Sequence, residues 1–373
     1  MIDHVGSEVD RAHMARALLL ASRGRGRTSP NPMVGAVIVD GEGVVVGQGS
    51  HEFAGGPHAE IHAIADAGDR ARGATLYCTL EPCSHTGRTG PCAPRVVEAG
   101  IRRAVIAVED PNPRVAGRGL EMLEQHGIEV TLGVRADEAE RLNCAFFTAM
   151  RLGRPFVTAK IALSLDRAVA ARRGTRTTLT GKQAMVAVQR ERAEVDAIGI
   201  GSETLLIDDP VLTARVAYRF RPLVRVIFDR RLRTPASARI FTTLDSGPIV
   251  IFGFDRESEE HRARAEALRA AGAQVDLLAE TDSPDQFLRE ALSRLVARGV
   301  LSLVVEGGPT LHEAFAKAGL VDRVEMFIAN RSLGPDGHRW NLFDQETLHD
   351  VTARPVGEDL FIEGYTRQIC SSV

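Results

Sequence analysis

The chain has 373 residues, enough for two domains of ordinary size, each with a substantial core. It is 44% hydrophobic and 25% charged with a formal net charge of −3, which gives no electrostatic argument for a nucleic-acid or membrane partner. No run of about 18 apolar residues marks a membrane helix, and "ARALLLAS" (15–22) is too short for a secretory signal and lacks a cleavage site. An odd five cysteines (Cys78, Cys83, Cys92, Cys144, Cys370) argue against a disulfide framework, so a cytoplasmic location is expected.

In chain order, an amphipathic helix ("DRAHMARALLLASR", 10–23) precedes two strands, "MVGAVIVD" (33–40) and "VVVGQGS" (44–50), joined at Gly41-Glu42-Gly43. A helix follows from about Pro57, then strand "ATLYCTL" (74–80), a helix opening near Cys92, strand "RAVIAVED" (103–110) and helix "GRGLEMLEQHG" (117–127). "IEVTLG" (128–133) and one helix over "ADEAERLNCAFFTAM" (136–150) close an α/β domain of residues 1–150. The charged, Gly- and Pro-bearing "RLGRP" (151–155) reads as a boundary. A second α/β series, residues 151–373, places strands at "PFVTAKIALSL", "DAIGIG", "LVRVIFD", "PIVIFGF", "QVDLLA", "LSLVVEGG" and "RVEMFIAN". Helices fall at "GKQAMVAVQRERAE", "ESEEHRARAEALRAAG", "SPDQFLREALSRLVARG" and "TLHEAFAKAG". An arginine cluster at "FRPLVRVIFDRRLR" (220–233) reads as solvated surface or as a phosphate-reading loop.

Chemistry concentrates first at "PCSHTGRTGPC" (82–92). Two cysteines here are open to a redox, disulfide, structural-metal or catalytic-metal reading. Pro57-His58-Ala59-Glu60 upstream shifts the balance, because His58, Cys83 and Cys92 supply one nitrogen and two sulfurs to zinc and leave a fourth position for water. Zinc lowers the pKa of that water to yield hydroxide near neutral pH, and Glu60 is the candidate proton shuttle. On a regular helix, residues two apart diverge by roughly 200°. His58 and Glu60 therefore converge only at a helix's first turn, which Pro57 favours. His62 is a rival ligand, and a structural site in a nucleotide-binding module, with His62 or His85 as fourth ligand, is the competing reading. Cys78 is assigned to the core, and Cys144 and Cys370 are read as inert.

H-x-E followed by P-C-x-x-C is the signature of nucleobase deaminases, but here eight residues rather than two separate the cysteines. "NPMVGAVIV", "PHAEIHAI", "EPCSHTGRTGPC" and "DPNPRVAGRG", in that order, resemble the deaminase half of the bifunctional riboflavin-biosynthesis deaminase/reductase family, in which the longer spacing is usual. "AKIALSLD", "DAIGIGSETLLIDDPVLTAR", "LSLVVEGGPTLHEAF" and "AGLVDRV" resemble its reductase half. The resemblance implies a cytidine-deaminase-like three-layer domain followed by a dihydrofolate-reductase-like domain. It also implies zinc and NADPH as cofactors, a pyrimidine ribosylamine phosphate as substrate, and a homo-oligomer. In the deaminase half it implies that Asn31, His51, His85, Arg88 and Asn112 contact substrate. In the reductase half, Lys160, Asp209 and Glu306 would lie around the reacting ribose and Arg192 and Arg215 would read its phosphate. Thr180, Gly307 and Gly308 would line the cofactor, and "FDRRLRTP" would offer an arginine for the adenosine 2′-phosphate. The chain departs from the family pattern at Arg167 (glycine), Ala168 (a basic residue), Arg176 (serine) and Thr178 (tryptophan). These departures leave open an alternative in which only the deaminase is active and the C-terminal half is a scaffold or acts on a related pyrimidine or pterin.

Overall fold

The computed structural model describes residues 5–84, 90–112, 116–216, 218–343 and 347–367. The chain divides into two compact units, one of residues up to Gly153 and one of Arg154–Gln368.

In the first unit, apolar side chains alternate between two buried faces of one sheet, as the two-residue period of a strand requires. Strands β1 (Gly35–Val39), β2 (Val45–Ser50), β3 (Thr75–Cys78), β4 (Arg103–Ile106) and β5 (Glu129–Leu132) form it in the order β2-β1-β3-β4-β5. β1 pairs antiparallel with β2 and β3, and the β3–β4–β5 ladders are parallel. Ala36, Ile38, Leu76, Cys78 and Ile106 face a core closed by helices α2 (Ala59–Ala67), α3 (Cys92–Glu98) and α4 (Arg118–Gln125). Val37, Tyr77 and Val105 face the opposite core, under α1 (Glu8–Ser22) and α5 (Ala136–Leu142). The result is three layers. α1 starts at a capping box in which Ser7 and Asp10 exchange side-chain and backbone bonds.

The helix expected over 136–150 is two helices, α5 and α6 (Cys144–Leu152), broken at Asn143 (φ −106°, ψ 22°). The break has a cause in the buried Asn143 side chain, which accepts from Met33 N at 2.7 Å and donates to Met33 O at 2.9 Å.

The second unit is built on a nine-stranded sheet in the order β11-β10-β9-β8-β12-β6-β13-β16-β15. Its parallel strands are β6 (Phe156–Ser164), β8 (Ala197–Gly201), β9 (Val224–Phe228), β10 (Ile249–Phe254), the edge strand β11 (Ala273–Leu278), β12 (Ser302–Val305) and β13 (Arg323–Ala329). All of these pair in parallel, which buries both faces of the inner strands and explains their apolar runs. Helices α10 (Pro284–Ala297) and α11 (Pro309–Lys317) cover one face, and α8 (Ser202–Asp208) and α9 (Glu259–Ala270) the other. α7 (Lys182–Glu194) packs through Ala184 and Val188 on Phe327 and Phe361. An antiparallel hairpin, β15 (His349–Val356) and β16 (Asp359–Tyr365), ends the sheet, and a small ribbon pairs β7 (Ala168–Ala170) with β14 (His338–Arg339). Among the described residues no helix is long and apolar enough to cross a membrane.

Candidate active sites

The first site grows out of two helix starts. His58 is the N-cap of α2 (φ −78°, ψ 164°), so its backbone is still extended while Glu60 stands in the first helical turn. α2 lies close on the sheet because Gly47 and Gly49 of β2 face it. A Cβ on either would come within 2.3 Å of a carbonyl oxygen of the helix, that of Ala63 or of Ala59. Cys92 is the first residue of α3, after the N-cap Pro91. Cys83 joins it through the backbone, its carbonyl accepting from the amides of Cys92 and Ala93 at 3.0 Å each.

These constraints bring His58 Nδ1 to 3.2 Å from Cys92 Sγ and 3.5 Å from Cys83 Sγ, all three ligand atoms lying within 4.8 Å of one another. Tetrahedral zinc with ordinary Zn–N and Zn–S bonds sets nitrogen and sulfur about 3.6 Å apart. The donor set and its spacing therefore fit zinc. Hydrogen bonding from Cys92, against the opposing effect of burial, holds the Cys83 thiol down to about 4, with His58 adding to the effect. The Cys92 thiol is driven up, chiefly as the partner that keeps the shared proton. Glu60 is buried, its Oε2 has no hydrogen-bond partner among the described residues, and burial pushes it up to about 7 against the pull of His58. A buried carboxyl raised from its ordinary value and with one open oxygen suits proton transfer.

The expected substrate contacts are partly assembled here. His51, buried, bonds Asn31 Nδ2 at 3.2 Å through Nε2 and the Pro57 carbonyl at 3.0 Å through Nδ1, and its ring lies edge-on to that of His58, centroids 5.3 Å apart. Asn112 stands on the loop between β4 and α4, its amide donating to Asp110 Oδ1 at 2.8 Å. His85 and Arg88 lie outside the described residues. Among the described residues His62 is not in the ligand group, and Cys78 is buried in the core. Sequence reasoning passed over Glu81, which is buried and accepts three backbone amides. Its signal was a carboxylate placed between an apolar strand and the metal loop.

The second site is a cleft of about 940 Å³ in the C-terminal unit, lined by Lys160, Glu306, Gly307 and Gly308 among others. Glu306 follows β12 and takes a two-pronged pair from Arg192 (2.8 and 2.7 Å), with Lys160 Nζ at 3.7 Å. Burial alone would raise the Glu306 carboxyl, but the charges of Arg192 and then Lys160 hold it down at about 2. Four of the expected contacts are placed differently. The guanidinium of Arg192 is filled by Glu306 and by the Thr213 carbonyl at 3.1 Å, so it is no open phosphate ligand. Asp209 caps α8 with φ 41° and accepts from Arg239 N at 2.8 Å; its neighbour Asp208 lines the cleft instead. Arg215 is exposed, tied by its backbone to Gln189, and neither it nor Thr180 lines the cleft, although Thr177 does. The Gly-Gly turn offers fewer open amides than its sequence suggests, since Gly308 N–H donates to Thr204 Oγ1 at 2.9 Å and Pro309 has no N–H.

The arginine cluster splits in two. Arg221 pairs with Asp196 at 2.7 Å and the fully buried Arg225 bonds Thr243 and the Ile240 and Gly247 carbonyls, whereas Arg230, Arg231 and Arg233 line the cleft. At the departures from the family pattern, Arg167 keeps a left-handed backbone (φ 62°) and donates to the Phe343 carbonyl at 2.9 Å and the Trp340 carbonyl at 3.4 Å. Arg176 lines the cleft, and Thr178 is exposed.

Comparison with known proteins matches both units. Residues 7–108 match the cytidine and deoxycytidylate deaminase zinc-binding region, and residues 155–365 match the RibD C-terminal domain. The riboflavin biosynthesis protein RibD of Aquifex aeolicus is 41% identical over 327 residues, covering 88% of each chain. The chain belongs to the RibD family. RibD of Escherichia coli is 41% identical, covering 88% of this chain and 89% of its own. Among solved structures, Acinetobacter baumannii RibD superposes with a TM-score of 0.83 at 34% identity, covering 96% of this chain and 99% of its own. A diaminohydroxyphosphoribosylaminopyrimidine deaminase/5-amino-6-(5-phosphoribosylamino)uracil reductase of Thermotoga maritima gives 0.79 at 33% identity, over 96% and 98%. The expected pairing of a cytidine-deaminase-like with a reductase domain holds, and this RibD chain is a two-domain enzyme of riboflavin biosynthesis.

Proposed function

We propose that the first unit hydrolyses the 2-amino group from the diaminohydroxyphosphoribosylaminopyrimidine, releasing ammonia. The second unit then reduces the ribosyl group of the resulting uracil to ribityl with NADPH. The observation that carries the reading is the meeting of His58, Cys83 and Cys92 beside a buried Glu60 with one unpartnered oxygen. When bound, zinc acidifies a water so that it serves as nucleophile near neutral pH. Glu60 takes a proton from the attacking water at Oε2 and delivers it to the ring nitrogen, then takes the remaining hydroxyl proton and delivers it to the departing amine, which leaves as ammonia. Asn31 and His51, bonded to each other beside His58, hold the pyrimidine edge, with His85, Arg88 and Asn112 as the remaining contacts. In the reductase, Lys160 serves as a cation beside the reacting ribose, supported by its place in the cleft 3.7 Å from the ionised Glu306 that orients it. Hydride transfer needs only this positioning and a proton source. Gly307, Gly308 and the arginines after β9, which line the cleft, serve as the NADPH contacts. A cytoplasmic homo-oligomer completes the proposal, and sedimentation at micromolar concentration checks the assembly.

The test incubates the zinc-loaded chain with substrate, with and without NADPH. Ammonia release that Glu60→Gln abolishes while zinc stays bound supports the first step, and unchanged turnover in Glu60→Gln overturns the role of Glu60. Ammonia without NADPH oxidation overturns the second step.

A further inference from the structure

We propose that Glu81 is a positioning residue of the deaminase: its buried carboxylate fastens the loop that carries Asn112 to the loop that carries Cys83. The inference rests on the reading of Asn112 as a substrate contact.

Glu81 lies two residues before Cys83. Its amide donates to Val108 O at 3.0 Å, continuing the β3–β4 pairing past the ends of both strands. Its side chain then reaches the loop leading to α4. Oε2 accepts from Asp110 N at 3.1 Å and Gly117 N at 3.0 Å, and Oε1 accepts from Gly119 N at 2.7 Å. Gly117 is the N-cap of α4 and Gly119 stands in its first turn, so the carboxylate satisfies helix-start amides that have no partner within the helix. The third amide belongs to Asp110, whose own Oδ1 accepts from Asn112 N at 2.8 Å, and Asn112 O accepts from Ala116 N at 2.9 Å. One buried side chain thus grips the Asn112 loop on both sides. The contact is also close in the backbone, since a Cβ on Gly119 would lie 2.0 Å from Pro82 O.

Glutamine cannot replace this arrangement. Three donors converge on two acceptor oxygens, and an amide nitrogen in place of either oxygen sets donor against donor. In Glu81→Gln the grip on Asp110, Gly117 and Gly119 loosens and Asn112 shifts with it, while the metal ligands, held by the α2 and α3 helix starts, remain in place. Misplacing a substrate contact by about 1 Å costs as much as ~100-fold. Loss of substrate binding raises KM, whereas a merely structural role lowers the folded fraction and hence apparent kcat at unchanged KM.

The experiment measures ammonia release against substrate concentration in the full-length, zinc-loaded chain, with zinc content determined for each variant. Glu81→Gln is expected to raise KM by about 10- to 100-fold, with a much smaller change in kcat and zinc retained. Asn112→Ala should raise KM likewise, and the double variant should be no worse than the more impaired single, because both remove one contact. Glu81→Asp, which keeps both acceptor oxygens on a shorter side chain, should show a smaller KM defect with zinc retained and decides the matter if Glu81→Gln does not fold. Wild-type KM in Glu81→Gln or loss of its zinc, beside an impaired Asn112→Ala, overturns the proposal alone. Wild-type KM in Asn112→Ala overturns the underlying reading of Asn112, and this proposal with it.

Discussion

Glu306→Gln turns the charge network of the reductase cleft into a measurable stability change. The carboxylate is buried, held at about 2 against an ordinary 4.5, and paired with Arg192 and Lys160. A difference of that size corresponds to about 3 kcal/mol favouring the ionised, folded state, of the order expected when one member of a buried pair is removed. Because the folded value lies below the unfolded one, this contribution is complete above about pH 4.5 and disappears as pH falls towards 2. Glutamine mimics the protonated acid. The gap between wild type and variant should therefore be widest at neutral pH and close across that acid window. The sole tryptophan, Trp340, is fully buried in the second unit, so its fluorescence during urea denaturation reports that unit. Equal stabilities at pH 7, or a gap that persists unchanged to pH 2, would refute the reasoning.

The same fluorescence measures the strain at Arg167. Arg167→Ala should be less stable than Arg167→Gly by about 1 kcal/mol, since both lose the bonds to the Trp340 and Phe343 carbonyls but only glycine takes φ 62° without cost. Asn143→Ala leaves Met33 N and O without their partner and should destabilise the first unit by about 1–3 kcal/mol, seen as a lower urea midpoint by circular dichroism. Chelation of zinc should abolish ammonia release while leaving NADPH affinity unchanged in a fluorescence titration, because His58, Cys83 and Cys92 all lie in the first unit.

The parts of the molecule that were legible in the sequence are those in which one local signal decides. Strands β8, β9, β10 and β12 are short apolar runs because parallel pairing buries both their faces. The His58-Glu60 pair was legible because Pro57 marks a helix start. What escaped depends on distant partners. Strand β15 is exposed along nearly its whole length and carries no alternation to read. The break at Asn143 answers to Met33, 110 residues away, while apolar residues continue on either side of it. The Arg192–Glu306 pair was not legible either, because its members stand 114 residues apart. Glu81 was missed for the same reason: its partners are amides, which any sequence supplies.

The two amides that Cys92 and Ala93 donate to the Cys83 carbonyl clamp the neck of the intervening segment. Once the neck is closed at its base, the ligands no longer depend on how much chain passes between them. Lengthening a closed loop from two residues to eight costs only about 1 kcal/mol in chain entropy. Spacing between the cysteines is thus decoupled from metal geometry.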